Sequence, residues 1–331
     1  VWIMAYTTID DPSAYFKVQI YTGNYDTNNV TFNDTDTNMQ PDIVWAKDRS
    51  DGSWHTIADS VRGAGSTHAA NSDAAATTET TYLTAFNSNG FTVGANNGTN
   101  EDGESNVAWC WKESADAGLD IIDYDGNGSN RDISHNLSAV PKLIIVKEYS
   151  HNTNWAVYHH TQGNTNFLKL NAAAANEDTD NWQDTTPTSS VFSLGSGGQT
   201  NNSGRDYIAY VFAEKQGYSK FGQYTGNVNT DGIFIYLGFS PAFFMFAETG
   251  NAEGFFIYDN KRSDSGGGNP NDQYFAVSSA AAEASGVAVD FVSNGVKLRA
   301  NNGHINEGSY CYVAFAEAPF VNSSGVPNNA R

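Results

Sequence analysis

The sequence predicts an all-β protein of three tandem β-sandwich (jelly-roll-like) domains, each of about 100 residues, with minor helix. Three recurring landmarks carry this expectation. A Tyr-x-Gly-Asn turn occurs as Tyr21-Thr22-Gly23-Asn24, Tyr124-Asp125-Gly126-Asn127 and Tyr224-Thr225-Gly226-Asn227. Pro41, Pro141 and Pro241 each lead into an apolar run: Ile43-Val44-Trp45-Ala46, Leu143-Ile144-Ile145-Val146 and Phe243-Phe244-Met245-Phe246. Each unit then closes on another such run: Val107-Ala108-Trp109-Cys110-Trp111, Ile208-Ala209-Tyr210-Val211-Phe212 and Val313-Ala314-Phe315-Ala316. Landmarks in one order at one period define repeats, and a period is read first because missing it mis-assigns the fold.

Taken along the chain, residues 1–14 form an N-terminal arm, residues 15–116, 117–216 and 217–320 the three repeats, and residues 321–331 a C-terminal tail. Tyr15 to Tyr21 alternates faces, with Phe16, Val18 and Ile20 on one side, as a half-buried strand does. The run after each proline is apolar on both faces, which predicts a strand covered on both sides. Asn89-Gly90 and Asn294-Gly295 precede strand-like segments and predict hairpins. The second repeat lacks that dipeptide and reads Ser190-Val191-Phe192-Ser193-Leu194. Asp73 to Ala76, Ala172 to Ala175 and Ala280 to Glu283 fall at similar places, and their alanines predict a single helical turn in each. Short linkers at Ala115 to Gly118 and Lys215 to Gly217 predict that neighbouring domains touch.

Composition limits the function classes. Length alone, 331 residues, suggests about two domains, and the repeat raises this to three. Lys plus Arg number 17 against 37 Asp plus Glu, for a formal charge of −20, which disfavours binding to phosphate backbones. Such a charge fits a salty environment or the holding of divalent cations. Cys110 and Cys311 lie in apolar runs at non-equivalent positions and read as buried free thiols, not as a disulfide framework. No apolar stretch reaches the length of a membrane-spanning helix. Val1 to Tyr6 lacks the features of a signal peptide, and Met4-Ala5 reads as a natural start preceded by Val1 to Ile3.

Asp123 to Gly128 opens like a calcium loop, but Ser134 stands where the bidentate Glu belongs, so a structural turn is expected. Glu101-Asp102-Gly103-Glu104 offers carboxylates for Ca²⁺ and reads first as solvated surface charge. No cofactor is expected. Asp59 with Arg62 and Asp259 with Arg262 recur 200 residues apart, whereas His159 and Gln162 hold those places in the middle unit. They are expected to be exposed ion pairs tying down strand ends, worth about 0–1 kcal/mol each, with ligand binding as the alternative. Polar neighbours mark Trp54, Trp155 and Trp182 as candidate exposed aromatic contacts for sugars or partner proteins. No histidine spacing supports zinc, and no nucleophile elbow, phosphate loop or nicotinamide fingerprint is present.

Several segments together resemble repeat-containing virion proteins of marine tailed bacteriophages. They are Met4 to Ser13, the Tyr-Thr-Gly-Asn turns, Gln40 to Trp45, Asp59 to Gly63, Gly217 to Gly222, Val313 to Phe320 and Gly325 to Arg331. The resemblance spans nearly the whole chain and implies a structural component of the tail or capsid exterior, with no catalytic residues to carry over. The expected function is a tail fibre or surface appendage that contributes to host attachment. Its expected partners are other virion proteins, a host cell-surface glycan or receptor, and further copies of itself, a trimer by analogy with fibres. A capsid decoration or connector without a ligand is the alternative, and a polysaccharide-degrading enzyme the third reading.

Overall fold

The computed structural model describes residues 6–33, 37–172, 180–250, 254–263 and 268–328. Within these the chain is almost entirely strand, and its helical pieces are the turns Pro12–Ala14 and Asn97–Asn100. Each unit is a sandwich of one large and one small sheet, and every sheet draws its strands from one unit.

The large sheets share one strand order. In unit 1 the closing strand Ser105–Trp111 lies between the first strand Phe16–Thr22 and the middle strand Ile43–Asp48, and Thr56–Asp59, Ser66–Ala69 and Thr77–Thr78 continue the sheet. Unit 2 repeats this with Leu119–Asp125, Asp206–Ala213, Pro141–Glu148, Ala156–His159 and Leu168–Lys169. In unit 3 the order is Ser219–Thr225, Ser309–Pro319, Phe239–Glu248, Phe255–Asp259 and Phe275–Ala276. All of these pairings are antiparallel.

The small sheets follow the Asn-Gly signal. Asn89 lies in the turn of the hairpin Ala85–Asn87 with Gly90–Val93, and Asn294 in the turn of Val289–Val292 with Gly295–Leu298. Unit 2 lacks the dipeptide, and among the described residues its small sheet pairs only Arg131–Ser134 with Val191–Leu194.

The apolar runs are double-faced because each serves two cores. In unit 1, Val44, Ala46, Ala108 and Cys110 face the small sheet and pack on Val30, Phe91 and Val93. Their neighbours Ile43, Trp45, Val107, Trp109 and Trp111 face the other way. Strand alternation repeats this division in unit 2, with Ile144 and Val146 inward to their own sandwich and Leu143 and Ile145 outward. Unit 3 does so with Phe244 and Phe246 against Phe243 and Met245. The outward sets of all three units merge into one central core. The three domains are therefore not beads on a string, since their large sheets cover one another. Where they meet, residues of every unit, among them Trp45, Trp111, Ile145, Tyr210, Met245 and Phe315, line an apolar void of about 30 Å³.

The arrangement closes on itself. The N-terminal arm reaches the end of unit 2 and unit 3: Thr7 Oγ1 donates to the Gln216 carbonyl at 2.8 Å and the Tyr6 hydroxyl to the Gly238 carbonyl at 2.9 Å. Asp10 Oδ1 accepts from Ser323 N of the C-terminal tail at 2.6 Å.

The expected helical turns are corrected. Asp73 to Ala76 and Ala280 to Glu283 are irregular, without a helical turn. Their backbone groups are taken by the neighbouring unit: Ala76 N donates to the Tyr149 carbonyl and Glu283 N to the Arg49 carbonyl, each at 2.9 Å. The third expected turn lies outside the described residues beyond Ala172.

Candidate functional site

The Asp/Arg steps are buried at the seams between units, which corrects the expectation of exposed pairs. Asp259 and Arg262 side chains are 0% exposed, and Asp59 and Arg62 are 0% and 3% exposed. Each Asp ends a strand and turns back on its Arg. Asp59 Oδ1 accepts from Arg62 N at 2.9 Å and Oδ2 from Arg62 Nε at 2.7 Å. Asp259 Oδ1 accepts from Arg262 N at 3.2 Å, and Oδ2 from Arg262 Nε. Both are covered because they sit where the next sheet packs.

The second partner of each Asp comes from another unit. Asp59 Oδ2 accepts from the Tyr210 hydroxyl of unit 2 at 2.9 Å, and Asp259 Oδ2 from Trp109 Nε1 of unit 1 at 2.9 Å. In unit 2, His159 holds the same place without a charge pair, with Nε2 3.1 Å from the Tyr312 carbonyl of unit 3. Gln162 Nε2 donates to the Thr161 hydroxyl. One contact thus runs in cyclic order from each unit to the next.

The electrostatics follow from this burial. Burial alone would lower the Arg62 pKa, but the Tyr210 hydroxyl and the Asp59 carboxylate raise it above its ordinary value. Burial, reinforced by Asp59, pushes the Tyr210 hydroxyl well up. Arg262 Nη1 bonds Glu283 at 2.8 Å, and Glu283 also pairs with Arg49 of unit 1 at 2.6 Å. The Arg262 guanidinium lies over the rings of Trp109 and Phe275, 5.3 and 4.6 Å from their centroids. Two lysines are also drawn in. Lys47 and Lys147 are fully buried and satisfied by carbonyls, Lys147 reaching Asp73 of unit 1 at 3.0 Å. Burial lowers both to a pKa of about 8.

The Tyr-x-Gly-Asn turn is held by an asparagine that sequence reasoning missed. Asn100, Asn201 and Asn306 are each 0% exposed. Their Oδ1 atoms accept from the backbone N of Asn24, Asn127 and Asn227 at 3.0, 3.0 and 2.9 Å. Each Nδ2 reaches three oxygens, in unit 2 those of Asn127 Oδ1, Ser129 O and Gly195 O. The Tyr hydroxyl closes the clamp on Thr99, Thr200 and Ile305 carbonyls. Glycine is required because a Cβ on Gly23, Gly126 or Gly226 would sit 2.0 to 2.2 Å from backbone atoms of this segment. The repeated Thr99-Asn100 and Thr200-Asn201 were the available signal, obscured by the many other asparagines.

The aromatic candidates divide. Trp54 is 48% exposed, at the rim of a shallow hollow shared with Tyr82. Trp155 and Trp182 are buried, which corrects their assignment as exposed contacts. Trp155 faces the central core and its Nε1 donates to the Ala69 carbonyl at 3.0 Å, whereas Trp182 packs on Tyr158 inside unit 2. The largest exposed apolar side chains include Phe234 and Tyr236, which sequence reasoning did not single out.

The carboxylate segments have local roles. Asp123 accepts from the Tyr149 hydroxyl at 2.9 Å, the Asp125 carbonyl from Arg131, and Glu104 from the Ser50 hydroxyl. Among the described residues no group of three or more His, Cys, Asp or Glu side chains is arranged to hold a metal ion, and no helix is long and apolar enough to cross a membrane. Residues 11–319 match the model of a family described as a domain of unknown function, DUF7483. No curated protein and no solved structure matches the chain.

Proposed function

We propose that this chain, which belongs to the DUF7483 family, is a non-enzymatic structural protein of a bacteriophage particle, a tail fibre or surface appendage that contributes to host attachment. One observation supports the structural part of this reading above all. The polar residues that recur from unit to unit bind the units together or clamp their turns. Asp59, His159 and Asp259 each meet the next unit, and Asn100, Asn201 and Asn306 each hold a turn. Recurrence spent on internal bonds is what selection for a rigid body would leave behind. The resemblance to marine phage virion proteins points the same way.

Host attachment further requires an outward surface that recognises something, and two places offer exposed aromatic groups, Trp54 on unit 1 and the pair Phe234 and Tyr236 on unit 3. A homotrimer, expected by analogy with fibres, would assemble through such outer faces, because the central faces are already buried within one chain. The alternative, a capsid decoration or connector, shares the rigid body and lacks the recognition step. Gold-labelled antibody on purified particles tests the reading: label at the tail tip or on surface projections is expected. Label on no part of the particle would refute it, and label spread evenly over the capsid would favour the alternative.

A further inference from the structure

The outer face of the small sheet in unit 3 breaks the repeat. Phe234 and Tyr236 are 46% and 49% exposed, with Ile235 turned inward between them. Register places Asn29 and Thr31 at the same positions in unit 1, and Asp132 and Ser134 in unit 2. Two sister strands with polar residues show that the fold does not require aromatic groups here. The strand Phe234–Tyr236 is the edge of its sheet, so both rings look out from one side of it. The Phe234 ring occupies the space over Gly295, where a Cβ would meet its Cε2 at 2.9 Å.

The rim is polar, and two of its cations are held by carboxylates. Lys297 binds Asp231 at 2.7 Å and Arg299 binds Asp290 at 2.6 Å. Lys220 Nζ lies 5.4 Å from the Tyr236 centroid, and the Tyr6 hydroxyl is 3.4 Å from that of Tyr236.

We infer that Phe234 and Tyr236 form a stacking platform for the neutral sugar rings of a cell-surface glycan, one platform per chain. The inference rests on the host-attachment reading and names its ligand class. The apolar C–H face of a pyranose matches an aromatic face, and its hydroxyls match the carboxylates, ammonium groups and phenols of the rim. A chain with a formal charge of −20, whose rim cations Lys297 and Arg299 are already paired, gives little advantage to an acidic ligand. A second copy of the chain fits less well. Two half-exposed rings would bury roughly 200 Å² per copy, against about 800 Å² in a stable protein interface.

The test is electrophoresis of the full chain through gels containing laminarin, dextran or galactomannan, with acidic alginate as the contrast. The variant is Phe234→Asn with Tyr236→Thr, which installs the residues of unit 1 in the same register. Tyr236→Thr alone serves if the double variant melts early. At least one neutral polysaccharide is expected to retard the wild type. The double variant should bind it roughly tenfold more weakly, each lost ring being worth a factor of about two to ten. The inference is overturned by no retardation in any neutral gel, by retardation in alginate alone, or by retardation that the substitutions leave intact. A dimer that the substitutions dissociate would overturn it in favour of self-association. Adsorption of particles blocked by antibody to this protein, without any glycan binding, would remove the platform and leave the attachment reading. Glycan binding by a protein that no particle carries would do the reverse.

Discussion

The Tyr210 hydroxyl donates to Asp59 Oδ2 across 2.9 Å, and this one bond explains why the middle unit departs from its sisters. Trp109, Tyr210 and Val313 hold equivalent places on the three closing strands, opposite Trp45, Ile145 and Met245. Asp259 meets Trp109 and Asp59 meets Tyr210, each a side-chain donor. The seat facing unit 2 is Val313, which donates nothing, so a buried Asp there would lack its second partner. His159 instead meets the Tyr312 carbonyl. The unit without the Asp is the one whose neighbour has no side-chain donor in that seat.

Removing a guanidinium from a seam is expected to be costly. Arg262→Ala leaves Asp259 and Glu283 buried with fewer partners, and breaking a buried pair this way costs about 3–5 kcal/mol. The expected fall in melting temperature is about 4–7 °C, from roughly 2.1 cal/mol/K of unfolding entropy per residue. Tyr210→Phe removes the bond donated to Asp59 and the one accepted from Arg62 Nη2 at 3.2 Å, and should cost at least roughly 1.5–3 kcal/mol. Calorimetry that finds Arg262→Ala within a degree or so of wild type would contradict the buried seam.

How much of this was readable beforehand depends on what each residue's neighbours reveal. The run Leu143-Ile144-Ile145-Val146 correctly implied a strand covered on both faces, and Asn89-Gly90 and Asn294-Gly295 marked the hairpins. What covers the second face was not readable, because an apolar residue looks the same whether a sister domain or the same domain lies over it. Trp155 misled for a related reason. Asn154 and Thr153 beside it belong to a polar turn, yet the ring points into the central core. The Asp/Arg steps were found but placed on the surface, since burial of an ion pair depends on the packing of another unit. Phe234 and Tyr236 were hidden in plain view, as an aromatic pair around Ile235 reads as core until the register shows which face is out.

The asparagine clamp gives a second, local prediction. Asn201→Ala deletes the bond accepted by Oδ1 and the two N–H groups that Nδ2 shares among three oxygens, and leaves the backbone N of Asn127 and the Ser129 and Gly195 carbonyls to find water. The expected loss is about 2–4 kcal/mol, from several bonds of roughly 1 kcal/mol each, offset where solvent enters. Gly126→Ala should be at least as harmful, because its Cβ would stand 2.1 Å from the Asn202 carbonyl oxygen. Hydrogen exchange should report faster opening around residues 124–129 in both variants. Unchanged exchange there would rule out the clamp.

Acid should destabilise the whole chain through histidines buried at the seams. Burial holds His159 down to about 3, and holds His55 and His68 well below their ordinary value, His55 with help from Lys47 and Arg262 and His68 from Arg62 and Lys147. A folded pKa below the unfolded value of about 6.5 means that the unfolded chain takes up the proton first. The stability of the neutral forms is therefore present above about pH 6.5 and lost progressively as the pH falls towards about 3. Denaturant titrations should give a free energy that declines through this window, with a slope of up to about one proton per histidine. His159→Gln should reduce that slope. A variant as pH-dependent as wild type would show that His159 is not buried as a neutral group.

Both thiols should be silent until the chain unfolds. Burial pushes Cys311 up to about 12 and Cys110 well above its ordinary value, so almost no thiolate is present at neutral pH. They also face different cores, Cys110 the sandwich of unit 1 and Cys311 the central core. A thiol reagent should label neither residue in the native protein and both in denaturant. Fast labelling of Cys311 alone would mean that the central core opens to solvent.

A single repeat should not survive alone. Residues 117–216 have the length of an independent domain and bury their own sandwich core, with Ile144, Phe192 and Val211 inside. Their other face carries Leu119, Leu143, Ile145, Trp155, Val157, Ile208 and Phe212, which only units 1 and 3 cover. Leaving such side chains in water forfeits about 1.5–3 kcal/mol each, roughly 10–21 kcal/mol in total, as much as the 5–15 kcal/mol that stabilises a whole protein. Expressed by itself, residues 117–216 should therefore aggregate or self-associate through that face. The full chain should melt in one cooperative transition, because opening any seam exposes the same central core. A soluble, monomeric 117–216 fragment with a cooperative melt would show that each sandwich is self-sufficient and that the shared core contributes little to folding.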